Sequence, residues 1–153
     1  MAVNTDVQNQ EILGEQLSIY LADTYTLYLK TQNYHWNVKG IHFRSHHLLF
    51  EEHYQALAEA IDELAERIRS LGERAPGSFK EYQKLATLQE ATGAEESEDM
   101  IHELTRDHEA LARSGKELIE KAEQRNDPVT ADLITTRVDF HETTAWMLRS
   151  HLE

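Results

Sequence analysis

Residues 35–66 read HWNVKGIHFRSHHLLFEEHYQALAEAIDELAE. The stretch joins the end of one helical pattern to most of a second across Gly40. It holds five spaced candidate metal ligands: His35, His47, Glu51, Asp62 and Glu66. Its second half places Phe50, Tyr54, Leu57, Ile61, Leu64, Ile68 and Leu71 at the three- and four-residue spacings of an amphipathic helix, which Gly72 stops. With His47 at zero on a helical wheel, Glu51 falls at about 40°, Asp62 at about 60° and Glu66 at about 100°. The apolar stripe covers roughly 240° to 340°. The candidate ligands therefore share one face, and it is not the face buried in the chain's own core.

One chain cannot gather them around one ion. His47 and Asp62 lie about 22 Å apart along the helix axis. They are nonetheless placed with a symmetry. His47 and Glu66 are equidistant from the point between Ala56 and Leu57, and so are Glu51 and Asp62. Two copies of this helix, antiparallel about a two-fold axis, would bring His47 toward the partner's Glu66 and Glu51 toward the partner's Asp62. Such an interface is isologous and carries two equivalent sites. The positions nearest the axis include Gln55 and Ala58, and the small Ala58 and Ala65 permit close approach. His35 reaches the His47 end from just before the turn. Imidazole with carboxylate and without sulfur suits iron, manganese or zinc. Glu52, Glu59 and Glu63 read as solvated surface.

Outward from this stretch the chain is helical. Residues 1–8 are polar and read as a loose tail. A first helix runs from Gln10 to Asn37 with an apolar stripe at Leu17, Leu21, Thr24 and Tyr28. His35 follows Leu17 by five turns of about 3.6 residues, so it faces inward. Gly40 is expected at positive φ. The second helix spans Ser45 to Leu71. Residues 73–96 contain Pro76, Gly77 and Gly93 and form a long connection in which FKEYQKLA (79–86) makes a short helix. A third long helix covers Glu98 to Gln124, with Leu104, His108, Leu111, Gly115, Leu118 and Ala122 on one face. Asp127 caps a fourth that begins at Pro128. Its stripe is Ile134, Val138, His141, Ala145, Leu148 and Leu152. The expected fold is all-α: one domain over 1–153, a ferritin-like four-helix bundle whose long crossover, with its short helix, lies between helices two and three.

Composition narrows the function. The 153 residues include no cysteine, which excludes disulfides and thiolate metal sites. No leader sequence and no apolar run of membrane-spanning length is present, so a cytoplasmic protein without membrane contact is expected. A formal net charge of −13 disfavours nucleic acid and favours cations.

The chain resembles the Dps family, the mini-ferritins named for DNA protection during starvation. The resemblance rests on NYHWNVKGIHF (33–43), HLLFEEHY (47–54), DELAERIRSLG (62–72), NDPVTADL (126–133) and ETTAWMLR (142–149), and it covers nearly the whole length. It implies a dodecamer built from two-fold dimers, a hollow shell that stores ferric mineral. It also implies a ferroxidase, with ferrous ion and hydrogen peroxide as substrates. The family's ligands fall on His35, His47 and Glu51 of one subunit and Asp62 and Glu66 of the other. The family often has aspartate where this chain has Glu51. Its acidic three-fold pores fall near Asp127 and Asp132. DNA-binding members commonly use lysine-rich tails. This chain has no lysine or arginine before Lys30, so no tight DNA binding is expected. The alternative function is a DNA-compacting shell with incidental metal sites; a third is a helical structural protein.

Other histidines are weighed against this reading. His35, His108 and His141 lie on apolar stripes and make a rival site inside the bundle, but His108 and His141 read better as neutral core residues. A di-iron bundle site needs paired Glu-x-x-His motifs, and only Asp99-x-x-His102 comes near one. His42, His46 and His53 are expected at the surface near the site. Trp36, next to a candidate ligand, reads as a packing residue, with quenching of oxidising equivalents as the alternative, and Trp146 and Met147 read as core or subunit-contact residues.

Overall fold

A computed structural model of the chain describes residues 5–153. It is all-helical, in the order α1 (Thr5–Asn37), α2 (Phe43–Ser70), α3 (Phe79–Leu85), α4 (Ser97–Gln124) and α5 (Pro128–Ser150). α1 starts earlier than its apolar stripe, so residues 5–8, expected in a loose tail, are helical. Residues 1–4 lie outside the described residues.

α1 packs against α2 and α4, and α5 packs against α4 and α2. The short turns after α1 and α4 make each of those pairs antiparallel. The ring of His46 at the start of α2 meets that of His151 at the end of α5. α2 and α4 therefore run in the same direction. The chain between them must return along a helix of about 42 Å. α3 and its flanking loops make that return, and α1 holds them. Asp23 accepts from the backbone N–H of Thr87 at 2.6 Å and of Leu88 at 3.0 Å. Lys30 and Asn33 donate to the carbonyls of Gln89 and Ala91.

The core is built from the expected stripes of α1, α4 and α5: Leu17, Leu21, Leu104, Leu111, Leu118, Ile134, Val138 and Leu148 are all buried. Truncating one such leucine to alanine costs about 2–5 kcal/mol. Gly115 lets α4 approach closely, because a Cβ there would stand 2.5 Å from Val138 Cγ2. α2 differs from the sequence expectation. Its buried face carries His46, His53 and Ala60, while Tyr54 and Ile61 are half-buried. The face is rotated toward α4 and α5, away from the direction that the apolar residues alone mark. His46 and His53 are therefore core residues, not surface ones.

Candidate metal centre

The α1–α2 turn sets the first half of the site. The backbone N–H of Val38 bonds the carbonyl of Tyr34, Gly40 takes φ 114°, and the N–H of Phe43 returns to the Gly40 carbonyl at 3.1 Å. Only glycine enters this backbone region without strain. The turn lays the start of α2 on the end of α1 and brings His35 and His47 face to face. Their rings stack with centroids 3.8 Å apart and planes 15° apart.

The two histidines bond each other's backbone reciprocally. His35 Nδ1 lies 2.6 Å from the His47 carbonyl oxygen, and His47 Nδ1 lies 2.6 Å from that of His35. A carbonyl only accepts, so both Nδ1 atoms carry protons. Both Nε2 atoms then hold a free lone pair, which is the tautomer a metal requires. The neighbouring rings fix the orientation. Phe43 stacks on His47 at 5.0 Å, and Tyr54 meets His35 edge-on at 5.2 Å.

Glu51 lies one turn beyond His47 and is half-buried; Asp62 and Glu66 are exposed further along α2. No described side chain forms an ion pair with any of the three. Among the described residues no three histidine, aspartate or glutamate side chains stand close enough to hold an ion. One chain thus brings His35 and His47 together, with Glu51 a turn away, and leaves Asp62 and Glu66 apart from them. The arrangement offers two oriented imidazoles at one end of a helix and unpaired carboxylates at the other.

Of the candidate pore residues, Asp132 is exposed. Asp127 is the N-cap of α5. It accepts from the Thr130 backbone N–H at 3.0 Å and pairs with Arg67 Nη2 at 3.0 Å. Burial pushes its carboxyl up, but the Thr130 hydrogen bonds and the Arg67 guanidinium outweigh this and hold it below the ordinary aspartate range.

The rival set of core histidines does not assemble around His35. His108 and His141 meet through their Nδ1 atoms at 2.8 Å, and the ring of His53 lies 6.2 Å from that of His108. Burial, with a smaller contribution from His151, pushes the His53 imidazole down to about 4. Tyr54 is the neighbour of the site that sequence reasoning missed. It falls on the apolar stripe of α2, and nothing in the linear pattern marks its contact with His35 across the helix pair.

Comparison with known proteins adds to this geometry. A family model described as a ferritin-like domain matches residues 14–153. The chain is 43% identical over 151 residues to an uncharacterised low temperature-induced protein of Nostoc sp., covering 97% of this chain and 84% of that one. It is 37% identical over 144 residues to DNA protection during starvation protein 2 of Bacillus anthracis, covering 94% and 98%. The crystal structure of the Dps protein from Vibrio cholerae, described as a member of a broad superfamily of ferritin-like diiron-carboxylate proteins, superposes with a TM-score of 0.93. That match has 32% identity and covers 100% of this chain and 98% of that one.

Proposed function

The chain belongs to the Dps family of ferritin-like proteins, and from that premise we propose that it is a ferroxidase that detoxifies and stores iron. The observation that carries the reading is the reciprocal His35–His47 pair, whose Nδ1–backbone hydrogen bonds leave both Nε2 atoms without a partner among the described residues and open to a metal. In this reading the missing carboxylates come from a second copy. The partner's Asp62 and the partner's Glu66 face His35, His47 and Glu51, and each two-fold dimer carries two sites. Ferrous iron is substrate and cargo; zinc or manganese are alternative occupants. The carboxylates hold the first ferrous ion and stabilise the ferric product by charge. The imidazoles, and Glu51 with its longer reach, hold a second. Two ferrous ions give one electron each to hydrogen peroxide. The O–O bond breaks, two protons are taken up and two waters leave. The protein positions the reactants and supplies charge, while the redox chemistry is that of iron.

Twelve copies closed into a shell would store the ferric product in the cytoplasm, with Asp132 and Asp127 near the entry pores. The DNA protection in the relatives' names is then chemical, because peroxide and ferrous iron are removed together. Direct DNA contact is disfavoured by a net charge of −13. Joint substitution of His35, His47 and Asp62 by alanine is expected to abolish peroxide-driven ferric absorbance in the assembled protein. Retention of the original rate in that variant would refute the assignment.

A further inference from the structure

Four of the six tyrosines form one line that begins at the proposed site. Tyr54 on α2 meets His35 edge-on at 5.2 Å between ring centroids. Tyr28 on α1 lies 6.0 Å from Tyr54, and Tyr25 lies 5.6 Å from Tyr28. Tyr82 on α3 stacks on Tyr25 at 4.8 Å. The other two tyrosines have different tasks. Tyr20 donates to the Leu111 carbonyl, and Tyr34 bonds Glu103. Both are buried, whereas all four rings of the line are half-buried. Of those four, only Tyr82 donates to a protein group among the described residues, the Pro76 carbonyl at 2.8 Å. Packing alone needs only the ring, and phenylalanine would supply it. A phenol adds a group that can lose an electron together with a proton, and half-burial gives that proton a route to water.

We propose that Tyr54, Tyr28, Tyr25 and Tyr82 form a one-electron relay that drains oxidising equivalents from the iron site when peroxide arrives with too few ferrous ions to reduce it. The proposal rests on the ferroxidase reading of that site. With a single ferrous ion bound, peroxide takes one electron from iron and one from Tyr54. One ferrous ion, one tyrosine, one peroxide and one proton from solvent give one ferric ion, one tyrosyl radical and two waters. Tyr54 is restored when Tyr28 passes it a hydrogen atom's worth of electron and proton. Tyr25 then restores Tyr28, and Tyr82 restores Tyr25. Contact-distance rings make each hop short. The line ends at the half-buried Tyr82 on α3, and Phe79 of the same helix, which is 72% exposed, meets Tyr25 edge-on at 6.4 Å, so this end borders solvent, where a water-soluble one-electron reductant can meet it. Trp36 is the rival donor by sequence position, but it is 61% exposed and has no close aromatic neighbour among the described residues.

The test is freeze-quench electron paramagnetic resonance on the full-length assembled protein, given one ferrous ion per site and excess hydrogen peroxide. Ferric absorbance is read on the same samples. Wild type is expected to show a tyrosyl signal and Tyr54→Phe to lose it, with ferric formation continuing when ferrous ion is in excess. Tyr28→Phe is expected to keep the radical but to lose most of its rapid quenching by added ascorbate. A wild-type signal that survives in Tyr54→Phe, or that belongs to tryptophan, overturns the relay. So does ferric formation with no protein radical in wild type, and so does unchanged ascorbate quenching in Tyr28→Phe. Absence of ferric formation in wild type instead overturns the ferroxidase reading. Both variants keep the ring, and neither removed hydroxyl leaves a described protein group without its hydrogen bond.

Discussion

His108 and His141 meet at 2.8 Å through their Nδ1 atoms, so one ring holds its proton there and the other leaves that nitrogen bare. Both Nε2 atoms are buried and have no partner among the described residues, and neither ring has solvent exposure. The His53 ring, the Arg137 guanidinium and the Phe140 ring surround them. Burial, seconded by Arg137, pushes the His141 imidazole from its ordinary 6.5 down to about 3. Burial, then His141, His53 and Arg137, pushes His108 well below the ordinary range. Between pH 6.5 and about 3 the unfolded chain binds protons that the folded chain refuses. The stability is therefore fully present above pH 6.5 and is lost as the pH falls toward the folded values. The unfolding free energy of wild type from urea titrations is expected to drop between pH 7 and 4 by an amount on the order of 2–4 kcal/mol. The paired variant His108→Leu/His141→Leu, which removes both polar partners together, should show a flatter profile; equal profiles would refute the account. The inward placement of both residues was legible in the sequence, because each falls on an apolar stripe of a long helix. Their mutual hydrogen bond was not, since it depends on how α4 and α5 are rotated against each other.

Asp127 belongs to the scale of the element, because its interactions start α5. The sequence Asn126-Asp127-Pro128 announced the cap, and the structure adds Arg67 of α2 as a second partner, which ties the start of α5 to the far end of α2. Asp127→Ala is expected to lower stability in chemical denaturation by about 1–2 kcal/mol, the cost of a lost N-cap with a partly buried ion pair. Asp127→Asn keeps a capping oxygen and should recover part of that loss. If both variants are as stable as wild type, the cap contributes nothing to stability and this account of Asp127 fails. Local signals of this kind are readable because cap, proline and glycine chemistry acts within a few residues. The stop of α2 near Gly72, the start of α5 at Pro128, the positive φ of Gly40 and the short α3 were legible on that ground, whereas the start of α1, which has no such local signal, was not. The rotation of α2 was not. His53 and Ala60 are buried by the helices that face them, and a periodicity count scored Tyr54 and Ile61 in their place. The tyrosine line escaped the sequence for the same reason, since its members come from three separate elements.

At the scale of the molecule, the question is whether two chains share each site. Chains carrying His35→Ala/His47→Ala and chains carrying Asp62→Ala/Glu66→Ala should each be inactive alone. Co-assembled in equal amounts at random, they should regain about one quarter of the wild-type sites. Half the dimers are then mixed, and each mixed dimer rebuilds one of its two sites. A mixture as inactive as its components would place all the ligands within one chain. The symmetry of residues 47–66 made this test designable from sequence. The locked tautomers of His35 and His47 had to await the structure, because a backbone carbonyl leaves no mark in a residue pattern. Those hydrogen bonds have a further consequence for turnover. The His35 carbonyl belongs to the last turn of α1, where helix geometry leaves it without a donor of its own, and the imidazole of His47 supplies one. The helix end is thus finished by the same ring that would grip the ion. Were that ring to bind an ion, its grip would be set when the hairpin closes, before any ion arrives.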